Sequence, residues 1–363
     1  MSASPERPSR RAVRHAGVGR LVCVAVNASI DKIATVDRLV PGQIHRPELL
    51  SAVAGGKPIN VARAASRLGL TAVVVPVVAG HTGSWLEASL ARDGIESRPV
   101  RVSGETRTCL SILDRSTDSL TEFYEAGPTL DREAWTAIES AVAAELERDP
   151  EASVVILSGS LPPGAPPDGY ARIVALAAKA GARTAVDADG EVLAHAVVAG
   201  AWLAKGNADE AARATGLRSG GEAEAVRAAI ALQDLGAGIA LVSRGIEGTI
   251  VLDEAGMAWR VGPSPERGAY PVGSGDSALA GFLAAIAAGA TTEEAARHAV
   301  AAGTANALRP GQGRIDPTEV ARILPAVALE AIGQPHPGRW DGDDVTAPGS
   351  DPRRTGHLRS EVL

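Results

Sequence analysis

Short, continuous apolar runs such as VVVPVV, SVVILSG and IALVSR alternate along the chain with Ala-rich stretches such as INVARAASRLG and PDGYARIVALAAKAG. A strand covered by helices on both faces needs no alternation of polar and apolar positions, so this order predicts βαβ units around a parallel sheet, an α/β fold. Two regions break the pattern. Residues about 32–54 and about 99–124 are β-branched and half polar, with turns and no helix between them, and predict a second, small sheet inserted as a lid. After a β-rich stretch from about Gly238 to Gly262, the chain from Asp276 onward reads as helical through SALAGFLAAIAAG, TTEEAARHAVAAGTANAL and PTEVARILPAVALEAI. No repeat of fixed period is visible. Residues 1–19 and 334–363 are rich in Pro, Gly, Arg and Asp without hydrophobic periodicity, and predict flexible tails around one folded body over 20–333.

Composition narrows the function classes. With 363 residues, an apolar share of 45% and a formal charge of -7, the chain offers no electrostatic case for nucleic acid or an anionic membrane surface. Its two cysteines, Cys23 in LVCVAV and Cys109 in TCLSIL, sit in apolar runs and read as small strand hydrophobes, not as a metal or disulfide pair. A reducing, cytoplasmic location fits them. The Arg-rich opening is not followed by an apolar stretch, so no secretory signal is expected, and no segment reaches the length of a membrane span. The seven histidines, among them His45, His81, His195 and His298, lack metal-ligand spacing.

The segment YPVGSGDSALAGFLAAIAAG is the most informative. Gly273, Ser274 and Gly275 immediately precede an Ala/Leu helix with Asp276 at its entrance. A helix N-terminus presents unpaired N–H donors and the positive end of the macrodipole, and glycine lets an anion approach the main chain. Asp276 either caps the helix or acts as a general base that takes a proton from an attacking hydroxyl, and the two roles are compatible. The P-loop G-x-x-x-x-G-K-[ST], the dinucleotide G-x-G-x-x-G and the G-x-S-x-G elbow are absent.

Taken in order, these segments resemble the PfkB, or ribokinase-like, carbohydrate kinases, in the branch with 1-phosphofructokinase and tagatose-6-phosphate kinase. VNASID, GGKPINVARAASRLG, the pair Thr106-Arg107, LSGSLPPG, DADGEVL, KGNADE, SRGIEG and VGSGD match the family's segments between about Leu21 and Leu308. The resemblance implies a three-layer α/β/α sandwich with a small β lid. It implies Asp276 as base, with Gly273, Ser274 and Gly275 as the anion hole. Asp31, Gly55, Gly56 and Asn60 are implied for the sugar hydroxyls, and Lys57, Arg107 and Ser160, with Arg46 as a further cation, for a phosphate already on the substrate. Lys205, Asn207, Ser243, Gly245 and Gly248 are implied on the ATP side, with Glu210 acting on Mg²⁺ through water.

Four departures stand out: GGKP for G-G-K-G, KGN for K-P-N, GSGD for G-A-G-D and DADG for D-x-S-G. Pro58 is acceptable in a first helical turn but not where a positive φ is required. The expected activity is transfer of the γ-phosphoryl of ATP to a hexose phosphate, with fructose 1-phosphate as acceptor and fructose 1,6-bisphosphate as product. Tagatose 6-phosphate, fructose 6-phosphate, an unphosphorylated sugar and a nucleoside remain as alternative acceptors. A non-catalytic sugar-sensing protein of the same fold is the rival of another class. Pairing of two chains through the lid is the expected assembly.

Overall fold

A computed structural model describes residues 18–334. The two predicted tails lie outside the described residues except at Val18, Gly19 and Gln334, and Gly19 already bonds to the Ala152 carbonyl.

The chain opens with β1 (Arg20–Ala25), the pair β2 (Ser29–Val36) and β3 (Glu48–Gly55), and α1 (Lys57–Arg67). It continues through β4 (Thr71–Ala79), α2 (Gly80–Arg92), β5 (Glu96–Ser97), β6 (Val100–Val102), β7 (Arg107–Asp114), β8 (Ser119–Tyr124) and α3 (Arg132–Leu146). Three βα units follow, β9 (Ser153–Ser158) with α4 (Gly169–Ala180), β10 (Arg183–Asp187) with α5 (Gly190–Val198), and β11 (Leu203–Asn207) with α6 (Ala208–Thr215). Then come α7 (Glu222–Leu235), β12 (Ile239–Ser243), β13 (Thr249–Leu252) and β14 (Ala258–Val261). The described chain ends with α8 (Ser274–Ala287), α9 (Thr292–Ala307), α10 (Pro317–Ile323) and β15 (Leu329–Gly333).

Eleven strands form one sheet in the order β15-β14-β13-β12-β11-β10-β9-β1-β4-β5, with β6 also on β4. Strands β4 to β12 in this order are parallel, and β12 to β15 are antiparallel. Both faces are covered. Leu21, Cys23 and Ala25 of β1 point into a core shared with α1, α8 and α9, while Val22 and Val24 point into a second core under α3, α4 and α7. This double coverage is why the central strands are apolar throughout.

The four-stranded sheet β3-β2-β7-β8 stands apart from the main one. It begins at Ser29 rather than near residue 32, and 100–102 belong to the main sheet through β4, so its second half is 107–124. A second difference concerns the end of the chain. The helical reading of PTEVARILPAVALEAI holds only to Ile323, after which a 3₁₀ turn over Leu324–Ala326 leads into β15. Pro325 has no N–H to continue the helix, and Leu329–Gly333 extend the main sheet beside β14.

Candidate active site

The site lies at the carboxyl ends of the parallel strands, under the four-stranded sheet. Two cavities meet there. One of about 430 Å³ is lined by Asp31, Gly56, Lys57, Asn60, Arg107, Ser160, Asn207, Glu210 and Asp276, among others. Its neighbour, of about 350 Å³, is lined by Gly245, Pro263, Ser274, Ala278 and Gly303, among others. Lys205, Ser243 and Gly275 belong to both, and so mark the junction.

Asp276 sits in the first turn of α8, behind the N-cap Gly273, and makes no capping bond. Its Oδ2 instead accepts from Asn60 Nδ2 of α1 at 2.9 Å, across 216 positions of sequence. Asn60 is held in that orientation by Arg63, whose Nη1 donates to Asn60 Oδ1 at 3.3 Å, so the Asn60 amide serves the carboxylate. Burial raises the Asp276 carboxyl and nearby Asp187 adds to it, so that it titrates at about 6 although Lys57 and the Asn60 amide pull the other way. A carboxylate with that affinity is suited to accept a proton near neutral pH.

At the entrance of α8, the first-turn N–H groups of Gly275 and Asp276 have no intrahelical acceptor. The Ser274 N–H differs, because it closes a turn onto the Pro271 carbonyl at 3.1 Å. Ser274 therefore lends a hydroxyl to the neighbouring cavity instead of an amide to the anion hole expected from sequence. Its Oγ accepts from Asn306 Nδ2 at 3.3 Å.

Asp31 is buried on β2, where Ser29 Oγ donates to its Oδ1 at 2.6 Å and the Gly56 N–H to its Oδ2 at 3.4 Å. Burial raises its carboxyl above the usual range despite those bonds. Gly55 does not line the cavity but makes room for this carboxylate, since a Cβ there would lie 2.0 Å from Asp31 Cγ. Pro58 occupies the second position of α1, and the positive φ of 99° falls on Gly56, which makes the GGKP departure harmless to the backbone.

Arg107 opens β7. Its Nε and Nη2 donate to the Asn27 carbonyl at 3.2 and 3.0 Å and its Nη1 to the Glu125 carbonyl at 3.4 Å, which occupies three of its five N–H donors. Asn27 Nδ2 in turn donates to Ser160 Oγ at 3.1 Å. Arg46 is exposed on the loop between β2 and β3 and is not part of the cavity wall.

Lys57 stands elsewhere than its grouping with Arg107 suggests. Its Nζ lies 3.1 Å from Asp187 Oδ1 and 3.7 Å from Glu210 Oε1, and Asp187 above all raises its affinity for the proton. Asp187 ends β10 and also pairs with the buried Lys205. Burial pushes the Asp187 carboxyl up, but the two ammonium groups overcome it and hold it at about 2. Asn207 and Glu210 form a capping box at the start of α6: Asn207 Oδ1 accepts from the Glu210 N–H at 2.9 Å and Glu210 Oε2 from the Asn207 N–H at 2.8 Å. Gly245 walls the second cavity, while Gly248 lines neither and turns the chain between β12 and β13.

Four residues of the site escaped the sequence reading. Asp187 was signalled by an acid closing the apolar strand RTAVD, and Arg63 by a cation on the apolar face of α1. Gln312 and Asn306 carry no comparable local signal.

Comparison with known proteins gives the arrangement its context. A 1-phosphofructokinase of Xanthomonas campestris pv. campestris is 32% identical over 316 residues, covering 86% of this chain and 98% of that protein. A tagatose-6-phosphate kinase of Staphylococcus epidermidis is 28% identical over 313 residues, 85% of this chain and 99% of its own. Among solved structures, the tetrameric inhibited form of phosphofructokinase-2 from Escherichia coli superposes with a TM-score of 0.77 at 27% identity, covering 84% of this chain and 98% of that one. Residues 20–319 match the pfkB family of carbohydrate kinases along nearly the whole described fold, and the chain belongs to that family.

Proposed function

We propose that this kinase transfers the γ-phosphoryl of ATP to the 6-hydroxyl of fructose 1-phosphate, giving fructose 1,6-bisphosphate. The observation that carries the proposal is the placing of Asp276 on the acceptor side of a junction whose other side opens into a second cavity. The free oxygen of Asp276 takes the proton of the acceptor hydroxyl. The hydroxyl oxygen then forms its bond to the γ-phosphorus as the bond to the departing ADP oxygen breaks. The Gly275 and Asp276 amides lie where negative charge gathers, and Lys205 and Lys57 offset it. The four-stranded sheet above the cavity keeps water from competing with the sugar.

Mg²⁺ fits the donors present. Among the described residues no cluster of three or more His, Cys, Asp or Glu side chains could cage a metal. Glu210 and Asn207 line the cavity, and the Glu210 carboxylate would hold a hydrated Mg²⁺ on the ATP side. When bound, the ion neutralises phosphate oxygens.

A phosphorylated acceptor is supported by Arg107, half-buried in the acceptor cavity with two N–H donors beyond those it gives to carbonyls. The names of the Xanthomonas and Staphylococcus relatives point to ketohexose phosphates, and tagatose 6-phosphate is the second acceptor to consider. The test is ATP consumption with Mg²⁺ on fructose 1-phosphate, tagatose 6-phosphate, fructose 6-phosphate, fructose and ribose. Arg107→Ala should raise KM for the phosphorylated acceptor by about 10- to 100-fold, the worth of a hydrogen bond to a charged group, and leave a neutral sugar unchanged. Equal losses on both would remove the phosphate role. Binding of ATP without any turnover would bring the sugar-sensing reading forward.

Two copies are proposed to pair through the four-stranded sheet, which exposes Leu49 and Phe123 by more than half of their surface. Mass measurement in solution should give a dimer that Phe123→Lys shifts toward monomer. A monomeric wild type at micromolar concentration would refute the pairing.

A further inference from the structure

We propose that Arg63 is a positioning residue of phosphoryl transfer: its guanidinium fixes the Asn60 amide so that Asp276 Oδ2 is occupied and the other carboxylate oxygen is left for the acceptor hydroxyl. The inference rests on the kinase reading above and deepens it.

Arg63 is 3% exposed and stands outside the cavity wall, on a helix whose other buried residues, Asn60 apart, are apolar. Burying a cation costs desolvation, and well-packed apolar residues in place of a buried ion pair are often at least as stable. Packing alone therefore gives no reason for a guanidinium at this position.

Four bonds tie the group to the frame of the acceptor side. Nη2 donates to the Ala54 carbonyl, just before the Gly55-Gly56 turn, at 2.6 Å, and Nε to Asp93 Oδ2 at 2.8 Å. Nη1 donates to the Gln312 carbonyl at 3.0 Å and to Asn60 Oδ1 at 3.3 Å. Gly313, with a φ of 72°, lets the turn that carries Gln312 close on α1, because a Cβ there would lie 2.5 Å from the Asn60 carbonyl oxygen.

The direction of the Asn60 amide follows from the chemistry of its two neighbours. A guanidinium only donates, so the end of Asn60 that faces it must be the oxygen. An ionised carboxylate only accepts, so the end that faces Asp276 must be the nitrogen, and Nδ2 donates to Oδ2 at 2.9 Å. Without Arg63 the amide is free to turn over, and a carboxylate that loses this donor holds its proton more tightly. Lys57 at the head of α1, Asp187 at the end of β10 and Lys205 on β11 face the same carboxyl. All three remain when Arg63 is replaced, so a change in the base is carried by Asn60.

The experiment records kcat against pH, with fructose 1-phosphate and ATP, for wild type, Arg63→Met, Asn60→Ala and the double variant. Methionine removes the donors and keeps an unbranched chain. The acid limb near pH 6 should move up by about one to two units in Arg63→Met, the equivalent of a hydrogen bond to a charged group. Asn60→Ala should move it as far, and the double variant no further. Asp93→Asn is the control: it breaks the ion pair of Arg63, so its urea midpoint should fall while its limb stays near pH 6. A limb unmoved in Arg63→Met, or moved equally in Asp93→Asn, overturns the inference. If Arg63→Met does not fold, wild type decides, because the NMR signal of the Asn60 side-chain amide should follow the titration of Asp276. A signal indifferent to pH between about 5 and 7 overturns the inference. A wild type that turns over no sugar would overturn the kinase reading, and the Asn60 signal would still decide Arg63 by the same criterion.

Discussion

Asp276→Asn should lower kcat by roughly a thousandfold while making the protein more stable, the loss expected of a general base combined with relief of a buried charge. The two effects have one origin. The Asp276 carboxyl is shifted from 3.8 to about 6, chiefly by burial. A raised value means that the native state binds the proton more tightly than the unfolded chain. Stability from this group is therefore fully present below about pH 4, falls as pH rises toward 6, and above that the ionised form costs on the order of 3 kcal/mol. Asparagine keeps an acceptor for Asn60 Nδ2 and removes the charge. In a urea titration at pH 7.5 the variant should unfold at a higher midpoint than wild type. The wild-type kcat should fall tenfold per unit below about pH 6, and this limb should vanish from the residual activity of the variant. A variant kcat within tenfold of wild type would remove Asp276 from the chemistry.

Breaking the Asp187–Lys205 pair should act in the opposite direction on stability. Asp187 is 2% exposed and Lys205 4%, so Asp187→Asn leaves Lys205 a buried charge without its ion-pair partner, whereas Lys205→Met leaves Asp187 paired with Lys57 alone. Asp187→Asn should cost about 3–5 kcal/mol, the usual toll for orphaning one member of a buried ion pair, and Lys205→Met less, because Lys57 still pairs with Asp187. The Asp187 carboxyl is held at about 2, below its ordinary 3.8, so its contribution is present above about pH 4 and disappears as pH falls toward 2. The double variant should regain much of the stability, because neither charge remains to be buried, yet recover no activity, since Lys205 stands at the junction of the two cavities. Single variants with unchanged denaturation midpoints would mean that the pair is not buried in solution. A double variant with near wild-type kcat would remove Lys205 from phosphoryl transfer.

What the sequence determined by itself is local. Apolar runs such as SVVILSG specify strands covered on both faces, and VGSGD ahead of an Ala/Leu segment specifies a helix entrance with free amides, because each depends on neighbours within a few positions. The family was legible for the same reason, as a series of short segments in order. The helical reading failed at Leu329–Gly333, where pairing with β14 outweighs the Ala- and Leu-rich composition. Contacts between distant parts of the chain belonged to the tertiary structure alone. Only packing of α1 against α8 turns Asn60 toward Asp276, and only the meeting of β10, β11 and α1 places Asp187 between two lysines and draws Lys57 to Glu210. Gln312 was invisible for the same reason, since a glutamine in a turn has no meaning until Arg63 and Asn306 bring it to the wall beside the base.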